Sequence, residues 1–262
     1  MARNLKLTLA YDGADFHGWQ VQPERHTIQG TLADAIERVT SERVLPQGSG
    51  RTDAGVHALA QVASCALSSP IPARNLVKAL NDVLPPAIRI STVEEVEDGF
   101  HARHSAIAKT YRYRIYRGET CPPHLARYVT HYPFPLDQGR MQEAAKLVEG
   151  QHDFTSFAAV DLEKGKAADP QEEQEEKNEK EPSSVRTIFS SQWERQGEEL
   201  VYTVVGNGFL HHMVRNLVGT FLLVGKGTLS AADLPRILQS RQRSAAGPTA
   251  PASGLWLVGV KY

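Results

Sequence analysis

Near the start of the chain Leu5, Leu7, Leu9 and Tyr11 alternate with Lys6, Thr8 and Ala10. That period of two predicts a half-buried strand, and the turn signal Asp12-Gly13 ends it. The loop Asp15-Phe16-His17-Gly18-Trp19-Gln20 carries two aromatic rings that serve either as core plugs or as part of a binding wall. Thr27 then caps a predicted helix whose apolar face is Ile28, Leu32, Ala35, Ile36 and Val39. His57 to Leu67, small and apolar on both faces, suits an interior strand. Asn75 to Leu84 reads as a helix stopped by Pro85-Pro86, and Ile88 to Val96 as a strand. The first hundred residues therefore run strand, helix, strand, helix, strand, an α/β layer unit.

Phe100-His101-Ala102-Arg103-His104 crosses to a second half that opens on Lys109 to Arg117. Alternation puts Tyr111, Tyr113 and Ile115 on one face and Arg112, Arg114 and Tyr116 on the other. Such a strand has an apolar side and a solvated basic side, or its interleaved rings and arginines grip RNA. Asp137 opens a helix with Met141, Ala144, Ala145 and Val148 inward, which Gly150 closes. Strands at Val185 to Trp193 and Leu200 to Val205 precede a helix from Phe209 to Thr220, with Met213, Leu217, Phe221 and Val224 on its buried side. His211 and His212 would point about 100° apart on that helix and make a poor metal pair. A short helix, Asp233 to Arg241, and a strand, Leu255 to Tyr262, complete a second half similar in element order to the first. The expected division is residues 1–105 and 106–262. Two α/β units over a shared sheet would leave a cleft between them, a default place for a ligand.

Composition changes this picture in three ways. First, 41% apolar and 23% charged residues describe an ordinary soluble chain with no apolar run of membrane-spanning length, so a cytoplasmic protein is expected. Second, the net charge of −1 hides an asymmetry: residues 161–181 hold nine acidic and four basic side chains, leaving 25 basic against 21 acidic elsewhere. The region 161–184 reads as a solvated surface insertion, and the mildly basic remainder is compatible with nucleic acid. Third, Cys65 and Cys121 stand in no ligand spacing, so neither a zinc site nor a disulfide framework is indicated.

The candidate chemistry lies in Gln47-Gly48-Ser49-Gly50-Arg51-Thr52-Asp53-Ala54-Gly55-Val56-His57-Ala58, a turn between apolar runs that can present Asp53 to a ligand. Gly50 and Gly55 imitate a phosphate-binding loop, but Val56 stands where that loop needs lysine. Taken alone, Asp-Ala-Gly is a side chain bonding its own turn.

Eight runs in order along the chain give that turn a different weight. They are Tyr11-Asp12-Gly13 with Phe16, Gly18, Trp19 and Gln20; Thr27 to Gly30; Gly50 to Ala58; Phe100 to Arg103; Lys109 to Tyr113; Asp153 to Phe157; Gly208 to Gly219; and Gly254 to Leu257 with Tyr262. Together they closely resemble the tRNA pseudouridine synthases of the TruA type, with the acidic insertion after Phe157 as a departure. The resemblance implies an α/β pseudouridine synthase fold with a central mixed antiparallel sheet, a homodimer, and conversion of uridine to pseudouridine at positions 38 to 40 of the tRNA anticodon arm. It implies no metal, organic cofactor or membrane partner. By the same resemblance Asp53 is the catalytic carboxylate, Tyr111 stacks on the target base, Arg51 handles the flipped nucleotide and Arg215 pairs with the carboxylate. Three routes are open to the aspartate: addition to the uracil ring, attack on the sugar, or removal of a sugar proton to give a glycal. Two rival classes are an RNA-binding protein without chemistry, which would not need Asp53, and an aspartate-nucleophile hydrolase, which would need a carboxylate cluster that the neighbourhood of Asp53 in sequence lacks.

Overall fold

The computed structural model describes residues 2–159 and 183–262, so the acidic insertion lies outside the described residues except for its last two positions. The described chain divides into two compact units. One runs to Ile107 and takes back Leu257–Tyr262; the other comprises residues 108–159 and 183–256. Both mix strands and helices, the α/β class expected from the periodicities.

In the first unit the strands β1 (Arg3–Tyr11), β2 (Gln47–Gly48), β3 (His57–Leu67) and β4 (Ile88–Val96) are joined by the helices α1 (Ile28–Thr40) and α2 (Ala73–Val83). Antiparallel pairing gives the order β4, β1, β3, with the last strand, β10 (Leu255–Lys261), next to β3 and the short β2 paired to β3 as well. Leu5, Leu7, Leu9 and Tyr11 of β1 are buried, as their alternation predicts. Thr27 accepts a hydrogen bond from the Gly30 amide at 3.3 Å, which satisfies one of the open N–H groups at the start of α1. Ile28, Leu32, Ala35 and Ile36 are buried along one face. In α2 the buried positions are Leu76 and Leu80, and this helix lies against β4 and α1.

The second unit is built on β5 (Ala108–Tyr116), β6 (Thr130–His131), β7 (Gly150–Asp153), β8 (Val185–Gln196) and β9 (Glu199–Gly206), in the order β5, β9, β8, β7. The β5–β6 pair is parallel, so the pairing is mixed. Its helices are α3 (Pro123–Ala126), α4 (Gln138–Lys146), α5 (Met213–Gly225) and α6 (Asp233–Ser240). Asp137 caps α4 by accepting from the Arg140 amide at 3.0 Å, and Met141, Ala144, Ala145 and Val148 are all buried. Trp193, Tyr202 and Phe221 bring β8, β9 and α5 together, with ring centroids 5.0 to 6.2 Å apart.

Several elements differ from the reading of the sequence, each for a physical reason. The helix expected from Phe209 begins at Met213, because His212 adopts a left-handed backbone conformation with φ of 59° that a helix cannot continue through. α4 ends at Lys146, and Gly150, with φ of +95°, instead opens β7. The second face of β5 is not simply solvated. Arg114 is held by Glu199 through a two-pronged ion pair at 2.6 and 2.7 Å, and Tyr116 is buried. β3 is not wholly apolar either, since His57 and Gln61 are buried within it.

Candidate active site

In the first unit, Arg51 and Asp53 lie on the loop that joins β2 to β3. A strand, not a helix, follows Gly55, so the anion-binding helix N-terminus of a nucleotide loop is missing here as well as its lysine. The loop is clamped at its start and at its centre by buried polar groups. At its start Ser49 donates to the Gln61 side chain at 2.7 Å, and Gln61 donates to the Gly50 carbonyl at 2.9 Å. At its centre the Thr52 and Tyr11 hydroxyls lie 2.8 Å apart, both groups buried. Burial pushes the Tyr11 phenol well above its ordinary range, so it remains a neutral hydrogen-bonding group at physiological pH.

The aromatic loop after β1 forms the other jaw. The Trp19 amide donates to the Thr52 carbonyl at 2.9 Å, and the Gly55 amide to the Phe16 carbonyl at 3.3 Å. Phe16 and Trp19 are core plugs, 4% and 1% exposed, which decides between the two roles open to them. Glycines permit the close approach. A side chain on Gly13 would overlap the Val56 carbonyl, and one on Gly18 would meet the Thr52 carbonyl. Farther along, the Gly13 amide donates to His57 Nδ1 at 3.1 Å, tying the Asp12 turn to the first residue of β3. Arg51 donates from Nε to the Gln20 side chain at 3.1 Å. Asp53 is half-buried on a loop whose backbone is fixed from three sides, and the Val56 amide donates to its carbonyl at 3.1 Å. The backbone that carries this carboxylate is thus held in place before any ligand arrives.

The second unit holds Tyr111 and Arg215. Tyr111 sits in β5 opposite Val204 of β9, and its ring meets Phe209 edge to face, with centroids 5.0 Å apart. It is 7% exposed, so only a small part of the ring faces outward. Phe209 reaches it by crossing Gly206, where an added Cβ would come within 3.1 Å of the Phe209 ring. Arg215 lies in the first turn of α5 and donates from Nε to the Ala250 carbonyl at 2.7 Å, which makes it more than a solvated surface charge. Just before it, the imidazoles of His211 and His212 lie 3.9 Å apart. The left-handed turn brings them together, contrary to the divergence a helix would impose.

Sequence reasoning missed the clamps. Gln61 could have been found, since an amide in the middle of the apolar run Leu59 to Leu67 must bury its polar atoms and pair them. The loop that holds Arg215 carries no comparable signal.

The family model described as tRNA pseudouridine synthase matches residues 8–105 and 144–262. These stretches contain Arg51, Asp53 and Arg215, while Tyr111 lies in the interval between them. Proteins described as tRNA pseudouridine synthase A are similar along their whole length. The one from Solibacter usitatus (strain Ellin6076) is 50% identical over 260 residues, covering 99% of this chain and 100% of the relative. Those from Brevibacillus brevis (strain 47 / JCM 6285 / NBRC 100599) and Caldicellulosiruptor bescii (strain ATCC BAA-1888 / DSM 6725 / KCTC 15123 / Z-1320) are 44% and 41% identical over 260 residues, with the same coverage. The chain belongs to the tRNA pseudouridine synthase family. The activity that follows from membership is an isomerisation, in which uridine becomes pseudouridine. Among the described residues no helix is long and apolar enough to cross a membrane.

Proposed function

We propose that this chain converts uridine to pseudouridine at positions 38 to 40 of the tRNA anticodon arm, with Asp53 as the catalytic carboxylate, and that it works in the cytoplasm as a homodimer. The observation that carries the reading is the fixed backbone around Asp53, where the Thr52 carbonyl and the Gly55 amide are held by the aromatic loop and Gln61 anchors the approach. The reaction must detach the base from the sugar, let it turn, and rejoin it through carbon instead of nitrogen. A carboxylate in a preset position can begin that sequence as nucleophile or base without a cofactor. Tyr111 supplies an aromatic face for the base once it has left its stack, Arg51 a cation for the flipped nucleotide, and Arg215 a second cation of the machinery.

The test is incubation of the purified protein with unmodified tRNA transcript and no added metal, followed by mapping of pseudouridine. Isomerisation at positions 38 to 40 supports the proposal, and isomerisation confined to other positions overturns the assignment of the target. Retention of tRNA without isomerisation identifies a binding protein, and release of phosphate a hydrolase.

A further inference from the structure

The Asn216 side chain is completely buried one residue after Arg215, and its three hydrogen bonds all lead to segments remote in sequence. Its amide nitrogen donates to the Phe157 carbonyl at 2.6 Å. Its oxygen accepts from Thr249 Oγ1 at 2.7 Å and from Arg243 Nη2 at 2.9 Å. These partners fix which way the amide faces, since a main-chain carbonyl can only accept and a guanidinium can only donate.

Arg243 extends the network into the loop that precedes β10, donating to the Gly247 carbonyl at 2.8 Å and to Thr249 Oγ1 at 3.1 Å. One turn farther along α5, Thr220 accepts from the Gly247 amide at 2.8 Å. Small residues let the loop lie directly on the helix. A Cβ on Gly219 would overlap the Pro248 carbonyl, and one on Gly247 would stand 2.7 Å from the Thr220 backbone. The loop ends in a two-bond clasp on Arg215. The Ala250 amide donates to the Arg215 carbonyl at 3.1 Å, and the Arg215 side chain donates to the Ala250 carbonyl at 2.7 Å.

We infer that Asn216, with Arg243 and Thr249, is a positioning residue that sets the direction of the Arg215 guanidinium by holding the 246–250 loop against α5. The inference rests on the reading that Arg215 serves the reaction. An arginine has a long, flexible side chain, and the hydrogen bond from Nε to the Ala250 carbonyl restrains its planar guanidinium. The Ala250 carbonyl is therefore one anchor of the cation, and the buried amide of Asn216 helps to place that carbonyl through Thr249.

The experiment is a double-mutant cycle in the full chain with tRNA transcript as substrate. Thr249→Val keeps the shape but removes one donor to Asn216, which retains Arg243. Melting temperature, tRNA retention, KM and kcat are measured for Thr249→Val, Thr249→Ser, Arg215→Gln and the Thr249→Val/Arg215→Gln double variant. Thr249→Val should lower kcat by about 10- to 100-fold through misplacement of a reacting group, with tRNA retention and KM near wild type. Thr249→Ser should restore kcat, and Thr249→Val should cost nothing further in the Arg215→Gln background. A full effect of Thr249→Val in that background would show a general structural role and overturn the inference, as would wild-type kcat in Thr249→Val beside a depressed Arg215→Gln. Wild-type kcat in Arg215→Gln would instead remove Arg215 from the reaction, and the inference with it.

Discussion

Gly18 meets Thr52 through backbone alone: a Cβ on Gly18 would stand 2.6 Å from the Thr52 carbonyl oxygen, and the glycine φ is +83°. The next amide, that of Trp19, donates to the same carbonyl. The contact braces the loop that carries Asp53, and it exists because the residue there has no side chain. Gly18→Ala adds a left-handed strain of about 1–3 kcal/mol and must also push the Thr52 carbonyl away. The expected outcome is a lower melting temperature together with a fall in single-turnover rate. A variant with lowered stability and an unchanged rate would show that Asp53 does not depend on this brace.

Tyr111 separates packing from stacking. Tyr111→Phe keeps the edge-to-face contact with Phe209 and should retain base stacking, worth about 1–3 kcal/mol. Tyr111→Ala loses stacking and also leaves a hole in the core, at a cost of about 3 kcal/mol or more. Melting temperature and KM for tRNA transcript should both change in the Ala variant and only slightly in the Phe variant. If Phe proves as damaging to turnover as Ala while remaining stable, the hydroxyl has a chemical role.

Asp153 makes stability depend on acid. Its carboxylate accepts from Thr155 Oγ1 at 2.6 Å and from the Thr155 amide at 3.0 Å, and Arg241 lies 2.9 Å away. These partners, the Thr155 hydroxyl first, hold its pKa below the ordinary 3.8. A lowered folded-state value means the contribution is complete above about pH 3.8 and is lost as pH falls through the folded value. Asp153→Ala should therefore be less stable than wild type in urea unfolding at pH 7, by a margin that narrows below pH 3.8. A margin that does not change with pH would place the effect in packing.

The two thiols should differ in reactivity. Cys65 is buried in β3, and desolvation pushes its thiol up to about 12, whereas Cys121 is half-exposed before α3. Maleimide at pH 8 should modify one thiol per folded chain, at Cys121, with Cys65 reacting only after denaturation. Rapid modification of Cys65 in the folded protein would contradict the buried position of β3.

Much of this fold is legible in the sequence because local signals decide it. The alternation in β1, the Thr27 cap and the spacing of Leu76 and Leu80 each lie within a few residues of what they specify. β2 and β6 have two residues each, too few to show a period, and partners supplied by β3 and β5 make them strands. The start of α5 is illegible for a different reason. Phe209 to His212 carry an apolar pattern that would suit a helix, but Phe209 packs on Tyr111, and the chain turns at His212 before helical bonding begins. The candidate site divides in the same way. Asp53 and Arg51 can be singled out by residue type and by the resemblance, whereas the contacts that brace them depend on Gly18, Tyr11 and Gln61, which lie outside that run.

Asp53 is the residue to which the proposed chemistry is assigned, and binding of tRNA is assigned to other parts of the chain. Asp53→Asn tests this division most directly, since the substitution preserves size and hydrogen-bonding capacity and removes the charge. Two quantities are measured on purified wild type and variant: pseudouridine formed per enzyme, and tRNA retained at one fixed salt concentration. Retention should persist, because affinity arises chiefly from lysine and arginine contacts to phosphates. Pseudouridine formation should vanish. Formation by Asp53→Asn at a rate near wild type would contradict the assignment of Asp53.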